Sequence, residues 1–161
     1  MRDEIFGILK GDRSRLLNDS SNSLLSRSAV DCIERGVHAI SPKKVTRHTC
    51  PDEGCRTAFW LEIEVGLSYL LIIEVSKLGE YARVYWKRKT MLSSKYSSVI
   101  PPTDHSTYSI HLKAIEGILS QCGVILLGSD ELNEEVPFEV DEYNPDDNAT
   151  VGSLMFAPEY H

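Results

Sequence analysis

The residues with the clearest chemical potential are carboxylates gathered at the C-terminal end of the chain. From residue 129 onward there are ten acidic residues and no lysine or arginine. Residues 1–128 carry a net charge of +3, whereas the last thirty-three residues carry −10. An extended negative surface attracts a basic partner and repels nucleic acid and acidic membranes. We therefore expect a protein partner of basic character, with no nucleic acid and no membrane among the partners.

Clustered carboxylates could also hold a metal or act as an acid–base pair, which leaves a metal-dependent enzyme as an alternative. Asp146, Asn148 and Thr150 match the first three ligand positions of a calcium loop. That loop needs glycine at its sixth position and glutamate at its twelfth, where this chain has Val151 and Ala157. The calcium template fails, and we expect no metal or other cofactor.

The cysteines are a second group of reactive side chains. A structural zinc site needs four ligands, and His48, Cys50 and Cys55 supply only three near one another. A Cys50–Cys55 disulfide is sterically conceivable but disfavoured in a reducing compartment, so we interpret this segment as a loop with two free thiols. Cys32 and Cys122 fall in helical patterns and are interpreted as small buried residues with free thiols.

Motifs for nucleophilic or phosphate chemistry are absent from the sequence. No Gly-x-Ser-x-Gly turn exists, and the ten glycines are scattered singly. Asp104, His105 and Ser106 are adjacent in the chain, which indicates helix capping and not a catalytic triad. A basic run at 87–89 lies near three aromatic residues, but such a short run commonly just ends an edge strand. We expect the protein not to be an enzyme.

The elements that must position these groups are predicted from hydrophobic periodicity. Alternating residues over about 57–88 predict an antiparallel meander of three strands. Three- and four-residue spacings predict a helix over about 22–35, ended by Gly36, and a second helix ended by a left-handed Gly123. Residues 91–107 are predicted to be a long loop, and 124–127 a short buried strand. The expected fold is α+β, with a mainly antiparallel sheet of three to five strands and two principal helices.

The acidic segment 129–161 is not typical of a disordered tail. Aromatic and branched apolar residues interleave with its charges, whereas disordered acidic tails are poor in both. We therefore expect one domain over 1–161, with this segment docked on the body through 151–156 and a short acidic helix before Pro137. Phe138 and Tyr143 are the candidate aromatic anchors for a partner.

The N-terminus bears on localisation. Asp3 and Glu4 stand where a secretion signal would carry bases, and no apolar stretch follows them. The longest apolar runs are far shorter than the roughly 20 residues that span a bilayer. We expect a cytoplasmic protein.

Several segments resemble a known class of protein. They are the strand 81–86 after a Glu74-Val75 strand end, the helix leading into 123–127, a Glu131-Leu132 turn with Val136-Pro137, and the terminal 151–156. In pattern and composition they are similar to the small immunity proteins of bacterial polymorphic toxin systems, such as the TriTu group. The resemblance spans roughly residues 57–156. It implies a cytoplasmic, non-enzymatic protein that binds a cognate toxin domain and blocks its active site.

Taken with the acidic field, the resemblance predicts an immunity protein that neutralises a basic toxin, and an adaptor unrelated to toxins is the other alternative. The residues expected to contact the partner are Glu134, Glu135, Phe138, Glu139, Asp141, Glu142, Tyr143, Asp146 and Asp147.

Overall fold

The structure is a computed structural model, and it describes residues 1–11, 20–40, 45–48, 58–65, 69–89, 96–98, 105–138 and 149–156. The helices are α1 (Arg2–Lys10), α2 (Ser20–Ile40), α3 (His105–Gln121), α4 (Ser129–Leu132) and α5 (Val151–Phe156). The strands are β1 (Val45–His48), β2 (Ala58–Val65), β3 (Tyr69–Ser76), β4 (Tyr81–Lys89), β5 (Tyr96–Ser98) and β6 (Ile125–Leu126).

The strands of the described part of the chain form one sheet in the order β1-β2-β3-β4-β5, with β6 also paired to β4. All neighbours are antiparallel except β6, which runs parallel to β4 through Tyr81↔Ile125 and Ala82↔Leu126. The predicted α+β fold with a mainly antiparallel sheet is confirmed. Within the described ranges, no helix combines the length and apolar character needed to cross a bilayer.

Two apolar clusters cover opposite faces of this sheet. The larger cluster packs α2 and α3 on one face, against Leu61, Ile73 and Trp86 among others. The smaller cluster packs α1 and α5 against the end of the other face, around Ala58, Tyr81 and the turn after β3. The alternation predicted for β2 and β4 is therefore present, but part of the second face is covered as well.

Helix α2 does not end at Gly36, and that prediction is wrong. The helix continues to Ile40, so Gly36 lies inside it. The absence of a side chain at this position lets α3 approach closely. A Cβ built on Gly36 would lie 2.7 Å from Cγ2 of Ile118. Gly36 thus serves helix–helix contact, whereas Gly123, at φ 73°, is the left-handed helix end that was predicted.

Cys32 and Cys122 form a disulfide bond between α2 and the end of α3, with their Cα atoms 5.8 Å apart. The interpretation of these residues as free thiols is therefore wrong. Ninety residues separate them in sequence, so only the packing of the two helices brings the sulfur atoms together. Cys50 and Cys55 lie outside the described residues, and so does the proposed loop between them.

Two local expectations about α3 and the segment before it also need correction. Residues 91–107 are not simply a loop, because β5 pairs with the end of β4 and α3 already begins at His105. Ile110, whose apolar side chain and helical spacing would favour burial in α3, is 67% exposed. It lies in the second turn of the helix, before the stretch from Ile115 to Leu119 that packs into the larger cluster.

Candidate partner interface

Three of the nine residues predicted to contact a partner are described by the structure. Glu134, Glu135 and Phe138 follow α4, with Glu134 half-buried and Glu135 exposed. The other six lie outside the described residues, and they are Glu139, Asp141, Glu142, Tyr143, Asp146 and Asp147. The candidate interface is therefore built from the described ends of the acidic segment and the elements around them.

The first part of the acidic segment is held at both ends of α4. β6 places the chain beside β4, and the Glu131 carboxylate then accepts a hydrogen bond of 2.8 Å from the backbone N–H of Gly128. After α4, Val136 N–H donates to the carbonyl of Ala149, and Val151 N–H donates to the carbonyl of Glu134. The described stretches on either side of residues 139–148 thus pair with each other.

The second part, α5, is anchored to the body by burial and by two polar contacts. Val151, Leu154, Met155 and Phe156 are all at most 2% exposed. The Ser76 hydroxyl donates to the carbonyl of Met155 at 3.2 Å, and the guanidinium of Arg83 lies over the Phe156 ring. The acidic residues of α4 consequently have a fixed position relative to the sheet.

Helix α1 contacts two of the predicted partner-binding residues. Arg2 Nε lies 2.5 Å from a carboxylate oxygen of Glu134, and the Arg2 guanidinium lies 5.3 Å from the centre of the Phe6 ring. Phe6 in turn meets Phe138 edge to face, with ring centres 6.3 Å apart. Glu134 and Phe138 therefore already have an arginine and an aromatic ring of the same chain as neighbours.

A small recess lies where α1 meets α4 and α5, with a volume of about 30 Å³. It is lined by Met1, Arg2, Ile5, Phe6, Glu131, Glu134 and Val151. Apolar side chains form most of its wall, and two carboxylates and one guanidinium stand among them. Met1 is 55% exposed beside it. The recess therefore combines an apolar wall with two carboxylates.

The acidic character extends beyond the C-terminal segment to α1 and the β3–β4 turn. Tyr81 is buried, and the carboxylates of Glu4 and Glu80 act on its hydroxyl electrostatically. Burial, followed by these carboxylates, raises the pKa of Tyr81. Asp3, Glu4 and Glu80 are exposed, as is Asp130 in α4. Sequence reasoning missed the first three because nothing local in the chain relates residues 3 and 4 to residue 80.

A second polar cluster lies on the sheet itself. Glu74 is buried to 8% exposure, and its carboxylate accepts hydrogen bonds from Arg83 Nε at 2.5 Å and from the Tyr85 hydroxyl at 2.6 Å. Burial and the Glu74 carboxylate raise the pKa of Tyr85, although Arg83 opposes this. A tyrosine held in the neutral form cannot act as a base near neutral pH. The cluster satisfies a buried charge and joins β3, β4 and α5.

Two of the three aromatic residues near the basic run at 87–89 are not accessible for stacking. Tyr81 and Trp86 are both 2% exposed, and they lie on opposite faces of the sheet. Tyr85 is half-buried and lies against the cations of Arg83 and Lys87. In the described ranges, no three histidine, cysteine or acidic side chains converge as metal ligands would.

Comparison with known proteins adds no assignment to this geometry. No family model matches the sequence, and no curated protein or solved structure matches it.

Proposed function

We propose that this protein is an immunity protein, which binds and neutralises a cognate basic toxin domain without catalysing a reaction. We further propose that the encounter takes place in the cytoplasm, where a toxin that attacks nucleic acid would find its substrate. The toxin is the only partner that the proposal requires, and no cofactor is involved.

One observation carries the proposal: as far as the structure describes them, α1 and α4 bring residues of the two chain ends together around an apolar recess that two carboxylates line. Glu131 and Glu134 line the recess together with Met1 and Ile5. Exposed carboxylates of α1 and of the β3–β4 turn lie near Tyr81, and Arg2 offsets part of the negative charge at the recess. Interfaces need a buried apolar anchor as well as complementary charge, and this end of the molecule offers both.

The physical advantage of such a surface lies in the rate of association. Nucleic-acid-cleaving toxins carry positive charge around their clefts, and carboxylates can occupy the positions that phosphates would take. Complementary fields raise association rates by roughly 10- to 10³-fold, and salt screens this effect. Rapid capture is what an inhibitor of a lethal enzyme requires.

The contacts that α1 makes with Glu134 and Phe138 limit how these two residues can contact the partner. Glu134 is paired with Arg2, and Phe138 packs on Phe6, so neither presents its whole side chain to solvent. A basic partner could engage Glu134 by replacing Arg2, because Arg2 itself is 66% exposed. Phe138 is better placed to support the interface than to anchor the partner.

The test is a pull-down from the source cells with the full chain as bait, at about 50 mM and at about 500 mM salt. Mass spectrometry of the eluate identifies the captured protein, and co-expression tests whether the bait protects cells from it. We expect one basic partner whose capture weakens at high salt. A bait that captures nothing at either salt would overturn the proposal, and a stoichiometric metal in the purified bait would favour the enzyme alternative.

A variant in which the acidic residues from Glu134 to Asp147 are replaced by neutral ones is compared with the natural protein in the same assays. We expect these substitutions to abolish both toxin binding and protection while the fold is retained. The immunity assignment fails if the substituted protein still binds and still protects. A captured partner with no toxic activity would instead identify an adaptor.

A further inference from the structure

The Cys32–Cys122 bond lies at a junction between the helical layer and the acidic end of the molecule. Cys122 follows the last residue of α3, and Gly123 then takes the left-handed conformation. The N–H of Cys122 donates to the carbonyls of Ile118 and Leu119, and Val124 N–H donates to Leu119. The disulfide therefore ties this helix end to the middle of α2.

The chain that leaves this junction leads directly to the acidic segment. Val124 is buried, and the next two residues form β6, whose backbone pairs with Tyr81 and Ala82 of β4. Gly128 then opens α4. Only six residues separate Cys122 from Ser129, so the covalent bond limits how far β6 and the start of α4 can move from the sheet.

Other contacts hold the two helices together besides the sulfur atoms. Gly36 approaches Ile118 one turn away from the bond, and Val30, Ile33 and Leu119 are fully buried between the helices and the sheet. Breaking the bond would leave this packing in place. It would remove the covalent restraint only at the end of α3, where a two-residue strand and a short helix follow.

We propose that the disulfide between Cys32 and Cys122 is a redox-controlled restraint. The oxidised cysteines limit the movement of β6 and α4, and reduction lets these two elements move more freely. Both cysteines are half-buried, and neither is fully enclosed by the core. A dithiol reductant transfers two electrons and two protons: a thiolate attacks one sulfur, a mixed disulfide forms, and the second thiolate resolves it. The products are two cysteine thiols and the reductant's own disulfide. This proposal does not depend on the function proposed above.

The experiment is hydrogen exchange with mass spectrometry on the full chain, before and after reduction with dithiothreitol. Non-reducing peptide mapping first confirms that Cys32 pairs with Cys122 and not with Cys50 or Cys55. On reduction we expect roughly tenfold faster exchange in peptides covering 122–132 through local opening, whereas β2 and β3, which exchange only through global unfolding, should stay protected over the same labelling times. The melting temperature should fall by roughly 5–15 °C, because the bond closes a long loop.

The double variant Cys32→Ala, Cys122→Ala is the matched control. It should exchange like the reduced protein and should not respond to dithiothreitol. Three results would overturn the proposal: unpaired Cys32 and Cys122 thiols in the protein purified without reductant, equal exchange of 122–132 in both redox states, or global unfolding on reduction. The last result would make the bond a plain structural requirement.

Discussion

Arg2 stands between a carboxylate and an aromatic ring, and its position makes it the residue through which α1 influences the acidic segment. Its Nε atom pairs with Glu134, and its guanidinium lies over Phe6. Exposed ion pairs contribute only about 0–1 kcal/mol to stability, because water screens them and both side chains lose freedom. The importance of Arg2 thus lies in the charge that it neutralises and much less in the stability that it adds.

We predict that Arg2→Ala lowers the free energy of unfolding by no more than about 1 kcal/mol and strengthens capture of the basic partner. Removing the guanidinium leaves Glu134 available and makes the surface more negative by one charge. The measurements are urea unfolding and the salt concentration at which the partner elutes. Arg2→Lys, which keeps the charge, should elute like the natural protein. Earlier elution of the partner from Arg2→Ala would show that Arg2 contacts the partner itself.

Tyr85 gives a prediction about alkaline pH. Burial and Glu74 raise its pKa in the folded state, whereas the unfolded residue ionises near the ordinary value of 10.0. The stabilising effect is complete below pH 10.0, and it is lost as the pH rises further, since only the unfolded state then releases the proton. Because part of the ring is exposed, we expect a loss of at most about 1 kcal/mol per pH unit.

Tyr85→Phe isolates this effect, because Tyr81 is present in both proteins and its contribution cancels. At about pH 9 the variant should be less stable by about 1.5 kcal/mol, the typical value of a hydrogen bond to a charged group. At about pH 11 that difference should shrink by roughly half. Urea unfolding at the two pH values measures it. A difference that stays constant with pH would mean that Tyr85 ionises in the folded protein as readily as in the unfolded chain.

At the scale of the elements, the three strands of the meander were predictable, whereas β1, β5 and the contacts between distant elements were not. The alternation of Leu61 and Ile63 with charged residues is a local signal, and β2 formed where it indicated. Gly36 is also a local signal, yet it was misleading, because its role depends on Ile118 in another helix. Similarly, no spacing in the chain relates Cys32 to Cys122 or Arg2 to Glu134.

The contact between α2 and α3 provides the prediction at this scale. Gly36→Ala would place a methyl group 2.7 Å from Cγ2 of Ile118, which is β-branched and cannot simply swing away. We expect the overpacking to cost about 1–3 kcal/mol, which exceeds the gain of up to about 1 kcal/mol from better helix propensity. Gly36→Ala should therefore lower the midpoint of urea unfolding.

Gly117→Ala is the matched control for this change. Gly117 lies in α3 and is exposed, and among the described residues no atom outside its own helix lies within 4 Å of the added methyl group. It should stabilise the protein by about 0.5–1 kcal/mol, through helix propensity alone. If both glycine substitutions stabilise the protein equally, the two helices do not approach each other as closely at Gly36 as the structure describes.

At the scale of the whole molecule, the charge is distributed unevenly, and this part of the candidate site was predictable from composition. The sequence shows that ten acids lie after residue 128, but it cannot show that α1 packs beside the described ones in and after α4. That convergence depends on α1 packing beside Tyr81 and α5. The field that a partner meets is therefore produced by both ends of the chain.

This arrangement predicts that the location of the negative charges on the surface, and not the net charge of the molecule alone, governs binding of the basic partner. Three double variants each remove two negative charges: Asp130→Asn with Glu135→Gln, Asp3→Asn with Glu80→Gln, and Glu64→Gln with Glu116→Gln. Glu64 lies six residues along β2 from Ala58, a distance of roughly 20 Å, and Glu116 is exposed on α3. Since salt screens exposed charges beyond about 8 Å at physiological ionic strength, the third pair should act weakly.

We expect the first two variants to lower the association rate by about 3- to 10-fold, and the third by less than about twofold. Stopped-flow or surface-based kinetics with the captured partner, at about 150 mM salt, measure the three rates. The dissociation rates should change less, because exposed rim charges act mainly on encounter. Equal effects of all three pairs would mean that the partner responds to the total charge of the molecule. The carboxylates around α1 and α4 would then not be the interface.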